Sequence, residues 1–263
     1  MPEWLAIIIL GIIEGITEFL PVSSTAHLLL AEQWLPKQSE MFNIVIQSGA
    51  VLAVIPLFRE RFHQFLFRWQ EPATRDYALK IIVAFVITGA GGLLLKKAGL
   101  KLPETVLPIA VALVVGGVAF LVIEARLKTM TLKDEITWAM AVAVGAAQLV
   151  AAAFPGTSRS GACILLMLLL GLNRPLATEF AFLVGIPTML AAGGYEIFKA
   201  LRQPVNDALP ENWPMVALGF AVSAIVSFIA VKWLLRYIQT HTFVMFGWYR
   251  IALAAVVLLL LMR

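Results

Sequence analysis

Two glutamates stand four residues apart in GIIEGITEFLP, at Glu14 and Glu18, and the hydroxyl-rich stretch VSSTAH follows from Val22 to His27. Residues at that spacing share one helix face, and like charges there repel. A divalent cation or a nearby arginine would relieve the repulsion. At the centre of a membrane helix each acid costs about 2.5–3.5 kcal/mol, so the pair is expected to face a cavity or a partner. A protonated pair, or one neutralised only for packing, is the bland alternative. Pro21 discourages the helix from continuing, which leaves Ser23, Ser24 and Thr25 at a turn. A serine hydroxyl becomes a useful nucleophile beside a base. His27 follows Ser24 by three residues, so its ring is expected to approach the Ser24 hydroxyl in the first turn of the next helix. Without that histidine, the serines would read simply as a helix N-cap.

A second turn, GTSRSG from Gly156 to Gly161, supplies the opposite charge. The Arg159 guanidinium is a planar fork suited to phosphate oxygens, and amides at the start of the following helix would add to it. Gly156 and Gly161 let that backbone approach a ligand closely. An ion pair from Arg159 to Glu14 or Glu18 is the ligand-free alternative. Gln47, Asn43, Gln148 and Glu179 are further polar residues within apolar stretches, suited either to the site or to interhelical hydrogen bonds.

The two turns belong to a duplication. GIIEGITEFLP (11–21) and GAAQLVAAAFP (145–155) each start with glycine and end with proline, so Glu14 falls on Gln148 and Ser24 on Ser158. A single membrane domain, 1–263, is expected, with one repeat at about 1–123 and the other at about 136–263.

The surroundings are apolar enough for a membrane. Hydrophobic residues make up 61% of the 263 and charged residues 14%, against about 25% charged in soluble chains, and the mean hydropathy is +0.90. Glu3 stands where a leader would be basic, so the first apolar segment is expected to stay in place. Basic residues are scattered, which argues against a nucleic-acid surface. With Cys163 as the only cysteine, an intramolecular disulfide is excluded. His63 and His241 read as interfacial.

Six stretches are long enough to cross a bilayer as helices: 41–58, 81–97, 106–123, 177–198, 214–232 and 243–262. Residues 4–20 with 28–35, and 137–154 with 162–172, read instead as re-entrant helix–turn–helix hairpins, tolerable where the tip is buried in protein or lines a wet cavity. Alternating the crossings places eleven Lys/Arg on one side and seven on the other. The richer side is taken as cytoplasmic, with both termini outside. One hairpin plus three crossings is odd, so the second half must be inverted relative to the first, as in transporters that bind ligands at the midplane. The expected fold is therefore all-α and polytopic: six transmembrane helices, two re-entrant hairpins and an inverted repeat. Glycines 89, 91, 92, 116, 117, 193 and 194 read as close helix packing.

EGITEFLPVSSTAH (Glu14 to His27) and PGTSRSGAC (Pro155 to Cys163) closely resemble the two signatures of bacterial undecaprenyl-diphosphatases of the bacitracin-resistance type. NIVIQSGAVLAV and TEFAFLVGIPTML extend the resemblance along the chain. It implies hydrolysis of undecaprenyl diphosphate to undecaprenyl phosphate and phosphate, recycling the lipid carrier of peptidoglycan synthesis. It further implies the bacterial cytoplasmic membrane, a site open to the outer face, and a divalent cation, Mg²⁺ or Ca²⁺. By position, Ser24 resembles the nucleophile, His27 its base and Ser23 an assistant. Glu14 and Glu18 resemble the metal-binding or acid–base carboxylates, and Arg159 with Ser158 the phosphate-binding pair. Thr25, Ser160, Gly156 and Gln47 complete the expected substrate contacts. The expected partners are the polyprenyl diphosphate and membrane lipid, with a homodimer also admitted. Cys163 departs from the family threonine, which puts a polar role there in doubt, and Ala26 replaces the usual glycine.

The rival class is a secondary transporter or lipid flippase using the same cavity, although transport alone has no need of a Ser–His pair beside an anion-binding arginine. The lipid phosphatase superfamily fits less well, because its second histidine and basic motif have no counterpart here.

Overall fold

Apolar runs punctuated by proline, serine and glycine fold as helices throughout the described residues. The structure is a computed structural model that describes residues 1–99, 106–202 and 212–261. Eleven α-helices are present among them: α1 (Glu3–Thr17), α2 (Ser24–Ala31), α3 (Glu40–Leu52), α4 (Arg59–Phe67), α5 (Pro72–Lys97), α6 (Val106–Leu127), α7 (Trp138–Ala153), α8 (Arg159–Leu169), α9 (Arg174–Arg202), α10 (Trp213–Tyr237) and α11 (Val244–Leu261). No strand occurs among the described residues, only an isolated bridge between Lys133 and Leu172.

Five stretches have the length and hydropathy to cross a membrane: Glu40–Phe67, Pro72–Lys97, Val106–Leu127, Arg174–Arg202 and Trp213–Tyr237. They contain five of the six expected crossings, and the chain is a multi-pass membrane protein. The sixth, 243–262, is the shorter helix α11, and residue 262 lies outside the described residues. Part of the expected loop 59–80 is instead helical, because Pro72 starts α5 two turns before its apolar run and α4 precedes it. Most of the expected loops 98–105 and 199–213 lies outside the described residues.

Glycines set how closely the long helices approach. A Cβ on Gly117 of α6 would lie 2.7 Å from the Gly247 carbonyl of α11, and one on Gly15 of α1 would lie 2.7 Å from the Ser223 carbonyl of α10. Gly91, Gly116 and Gly193 are likewise crowded, as expected, but Gly89, Gly92 and Gly194 face open space. For those three the packing expectation fails among the described residues, where a Cβ would meet nothing within 4 Å.

An ion pair with a fully buried carboxylate joins α6 to α9. Glu124 of α6 binds Arg174 and also accepts from the Phe243 amide at 2.8 Å. Glu179, considered above for the site, binds Arg61 (2.7 Å) and Tyr77 (3.0 Å) instead.

Both helix breaks occur where the sequence places them. α1 ends before Pro21 and α7 before Pro155, and each break is followed by a short helix, α2 or α8. The main core packs around the second break. Phe19, from the first, meets Phe182 of α9 edge-on with ring centroids 4.7 Å apart.

Candidate active site

Two serines hold the conformation that builds the site. Ser23 (φ 75°) and Ser158 (φ 68°) are the non-glycine residues with positive φ among the described residues. Such a conformation costs on the order of 1–3 kcal/mol and persists where its surroundings over-determine it. Each caps the helix that follows: Ser23 Oγ accepts from the Ala26 amide at 3.4 Å and Ser158 Oγ from the Gly161 amide at 3.2 Å. Conformation thus pairs Ser23 with Ser158, and Ser24 with Arg159, each the first residue of its helix. The repeat alignment, which set Ser24 on Ser158, is off by one here. The second turn is one residue longer, and Gly156 (φ +92°) absorbs it.

Ser24 and Arg159 therefore open two helices that face one cavity of about 240 Å³. Glu18, Ser23, Ser24, Thr25, Gln47, Gly156, Ser158 and Arg159 all contribute to its wall. Thr88, Thr188 and Gln148 join them. Gln148 Nε2 donates to Thr88 Oγ1 at 2.8 Å, which fixes that side of the wall. First-turn amides have no intrahelical acceptor and carry the positive end of the helix dipole, so two such ends suit an anion.

Glu18 is the hub. Ser24 Oγ donates to its Oε2 at 3.0 Å, and Arg159 Nη2 donates to its Oε1 at 3.1 Å. Arg159 Nη1 also donates to the Ala181 carbonyl at 3.3 Å, and its guanidinium carbon lies 5.6 Å from the Phe19 ring centroid. Its Nε is buried without a partner among the described residues. A donor of that kind is left over for a ligand. Glu14 lies one turn back on α1, off the cavity wall and 0% exposed, with both carboxylate oxygens unpartnered among the described residues.

The guanidinium occupies a slot that only glycine leaves. A Cβ on Gly185 of α9 would come within 2.1 Å of Arg159 Nη1. Gly185→Ala is expected to lower turnover by about a hundredfold, the usual effect of a 1 Å misplacement, although alanine favours helix by about 1 kcal/mol. Phosphate release and thermal melting of the purified variant check this. An unchanged rate would mean that Arg159 tolerates the shift.

Two expected roles are corrected. His27 does not reach the Ser24 hydroxyl. Its Nδ1 lies 2.7 Å from the Ser23 carbonyl and its Nε2 lies 2.7 Å from Tyr249 Oη. A carbonyl can only accept, so Nδ1 carries the proton, and in the neutral ring Nε2 accepts from tyrosine. The helix turns the ring back over residue 23, where it braces the strained backbone. Ser160 is not on the cavity wall either: it is fully buried, and its hydroxyl reaches the Glu18 carbonyl (3.2 Å) and the Leu20 carbonyl (3.4 Å). It fastens the two turns together. Asn43 also stands off the wall. Cys163 is buried against the Val144 carbonyl at 3.9 Å, so the substitution of threonine there places a thiol in apolar packing.

Tyr249 of α11 is a residue near the site that the motifs do not signal, whereas Arg250 beside it stands out in the sequence as a charge inside the last span, free to snorkel or pair internally, with no role that follows from sequence. An arginine inside an apolar span was itself the signal, because such residues are rare and usually functional. Which groups it serves depends on segments distant in sequence.

Comparison with known proteins agrees along the whole chain. The family described as Bacitracin resistance protein BacA matches residues 7–256. An undecaprenyl-diphosphatase of Rhizobium etli (strain CFN 42) is 55% identical over 251 residues, 95% of this chain and 94% of the relative. An undecaprenyl-diphosphatase of Xylella fastidiosa (strain 9a5c) is 49% identical over 259 residues, 98% of each. One of Xanthomonas axonopodis pv. citri is 48% identical over 260 residues, 98% of this chain and 97% of the relative. A match of that breadth, spanning both broken helices and the α11 residues that meet them, places this chain in the bacitracin resistance protein BacA family.

Proposed function

We propose that this protein hydrolyses undecaprenyl diphosphate to undecaprenyl phosphate and phosphate, recycling the carrier lipid of peptidoglycan synthesis and so supporting bacitracin resistance. The observation that carries the reading is the cavity itself. It brings one serine hydroxyl, a carboxylate accepting its proton side, and one arginine together between two helix N-termini. That is what phosphoryl transfer asks of a protein: a positioned nucleophile and stabilisation of charge on the phosphoryl oxygens.

In this reading Ser24 Oγ attacks the terminal phosphorus while Glu18 accepts its proton. The bond to the bridging oxygen breaks, and the lipid monophosphate leaves. Arg159 swings part of its fork from Glu18 to the phosphoryl oxygens, with the α2 and α8 amides beside it. Glu18 passes the Ser24 proton to the departing monophosphate. Water then attacks the phosphoserine, Glu18 taking the water's proton and returning it to Ser24 Oγ as the serine–phosphorus bond breaks and phosphate leaves. His27 acts through the Ser23 carbonyl by holding the strained turn.

Glu14 and Glu18 would hold the divalent cation. Two unpartnered buried oxygens on Glu14 suit a hard cation, although no group of three or more His, Cys, Asp or Glu gathers there among the described residues. Mg²⁺ commonly takes one or two carboxylates and completes its shell with water and substrate phosphate. When bound, the cation supplies neutralisation of the diphosphate charge.

The six-crossing architecture with two re-entrant hairpins and an inverted repeat is part of the same proposal. Exchanging α1, α2, α3, α5 and α6 for α7, α8, α9, α10 and α11 turns the α1–α10 pairing into α5–α7, α3–α10 into α5–α9, and α2–α11 into α6–α8. It maps α3–α9 and α6–α11 onto themselves. Such exchange is what an inverted duplication leaves behind. With the basic excess cytoplasmic, the site opens to the outer face of the inner membrane. The same symmetry favours lipid transport as a second reading.

Phosphate release from undecaprenyl diphosphate by the detergent-solubilised protein tests the enzyme. Chelation is expected to stop release and added Mg²⁺ or Ca²⁺ to restore it. Lipid movement across vesicles without any phosphate release would leave the transporter in its place.

A further inference from the structure

Arg250 is 0% exposed within α11 and, among the described residues, binds only backbone carbonyls. Its Nη1 donates to Pro21 (3.2 Å), its Nη2 to Gly156 (3.1 Å) and Ala112 (3.0 Å), and its Nε to Leu113 (3.4 Å). Pro21 belongs to the first turn, Gly156 to the second, and the other two to α6. No carboxylate pairs with it among the described residues. Ser24 follows Pro21 by three residues, and Arg159 follows Gly156 by three.

We propose that Arg250 is a positioning residue for the reaction: it clamps both turns to the α6–α11 pair so that Ser24 and Arg159 meet one phosphate. The proposal rests on the roles given to Ser24 and Arg159 above. Carbonyls at a turn have no helical donor to satisfy them, and a buried carbonyl without a donor is unfavourable. One guanidinium satisfies a carbonyl of each turn at once, which fixes their separation. Lysine has three donors on a single nitrogen and cannot reproduce a planar fork. Room for the fork comes from Gly116, where a Cβ would lie 2.4 Å from Nη2, and from Gly161, where one would lie 3.3 Å from Nη1. Ser160 ties the same two turns directly but without an anchor in the long helices.

The test compares Arg250→Lys, Arg250→Met, Gly116→Ala and Ser24→Ala, with kcat, KM and melting temperature measured on each purified protein. Arg250→Lys is expected to melt as a folded protein and to lose about a hundredfold in kcat, as a 1 Å misplacement does, with KM changed far less. Gly116→Ala keeps the arginine but displaces its fork, and kcat is expected to fall about tenfold on the same ground. A folded Arg250→Lys with wild-type kcat, or one that changes KM alone, would overturn the clamp. If neither Arg250 variant folds, Gly116→Ala decides, and its wild-type kcat would overturn the proposal. Full activity in Ser24→Ala would instead overturn the site reading beneath it, whereas a dead Ser24→Ala beside a fully active Arg250→Lys removes the clamp alone.

Discussion

Ser24→Ala is expected to lower phosphate release by at least about a thousandfold, since nucleophile deletions cost several orders of magnitude in kcat. The fold should survive, because Ser24 contributes a single side-chain hydrogen bond, 3.0 Å to Glu18, while the cap of α2 belongs to Ser23. Labelling with substrate carrying a radioactive terminal phosphate, followed by acid quench and peptide mapping, should place the label on Ser24. Its absence under rapid quench would favour direct attack by water. His27→Gln distinguishes the two proton acceptors. With Glu18 as base, that change loosens the Ser23 carbonyl and should lose much less than Ser24→Ala. A loss equal to that of Ser24→Ala would return the proton to the imidazole.

Arg159→Lys should lower kcat by about 10²–10³-fold, below the 10³–10⁵ that a transition-state arginine can supply, because lysine retains charge without the fork. A single ammonium cannot satisfy Glu18 and the Ala181 carbonyl while also meeting phosphate oxygens. Arg159→Met goes further and strands Glu18 as a buried, unpaired carboxylate, a change of about 3–5 kcal/mol when one partner of a buried pair is removed. The two variants thus separate chemistry from stability: lysine should depress kcat with little change in melting, and methionine should depress both. Equal kcat in wild type and Arg159→Lys would show that the guanidinium serves Glu18 and not the substrate.

The sequence by itself determined the membrane class, the two helix breaks and the polar groups carried at them. These are local properties. Hydropathy over some twenty residues, the missing amide at Pro21 and Pro155, and the i, i+4 spacing of Glu14 and Glu18 need no knowledge of the rest of the chain. The tertiary structure decided what each group touches. Ser24 found Glu18 and not His27, because the helical turn carries the imidazole away toward Tyr249, 222 positions along the chain. The repeat register slipped by one at the second turn, since a glycine at positive φ can absorb a residue that alignment cannot see. Arg250 acquired a purpose only when Pro21 and Gly156 arrived at the same guanidinium. Contacts between segments more than a hundred residues apart depend on how helices pack, and no local pattern encodes which carbonyl a buried fork will reach.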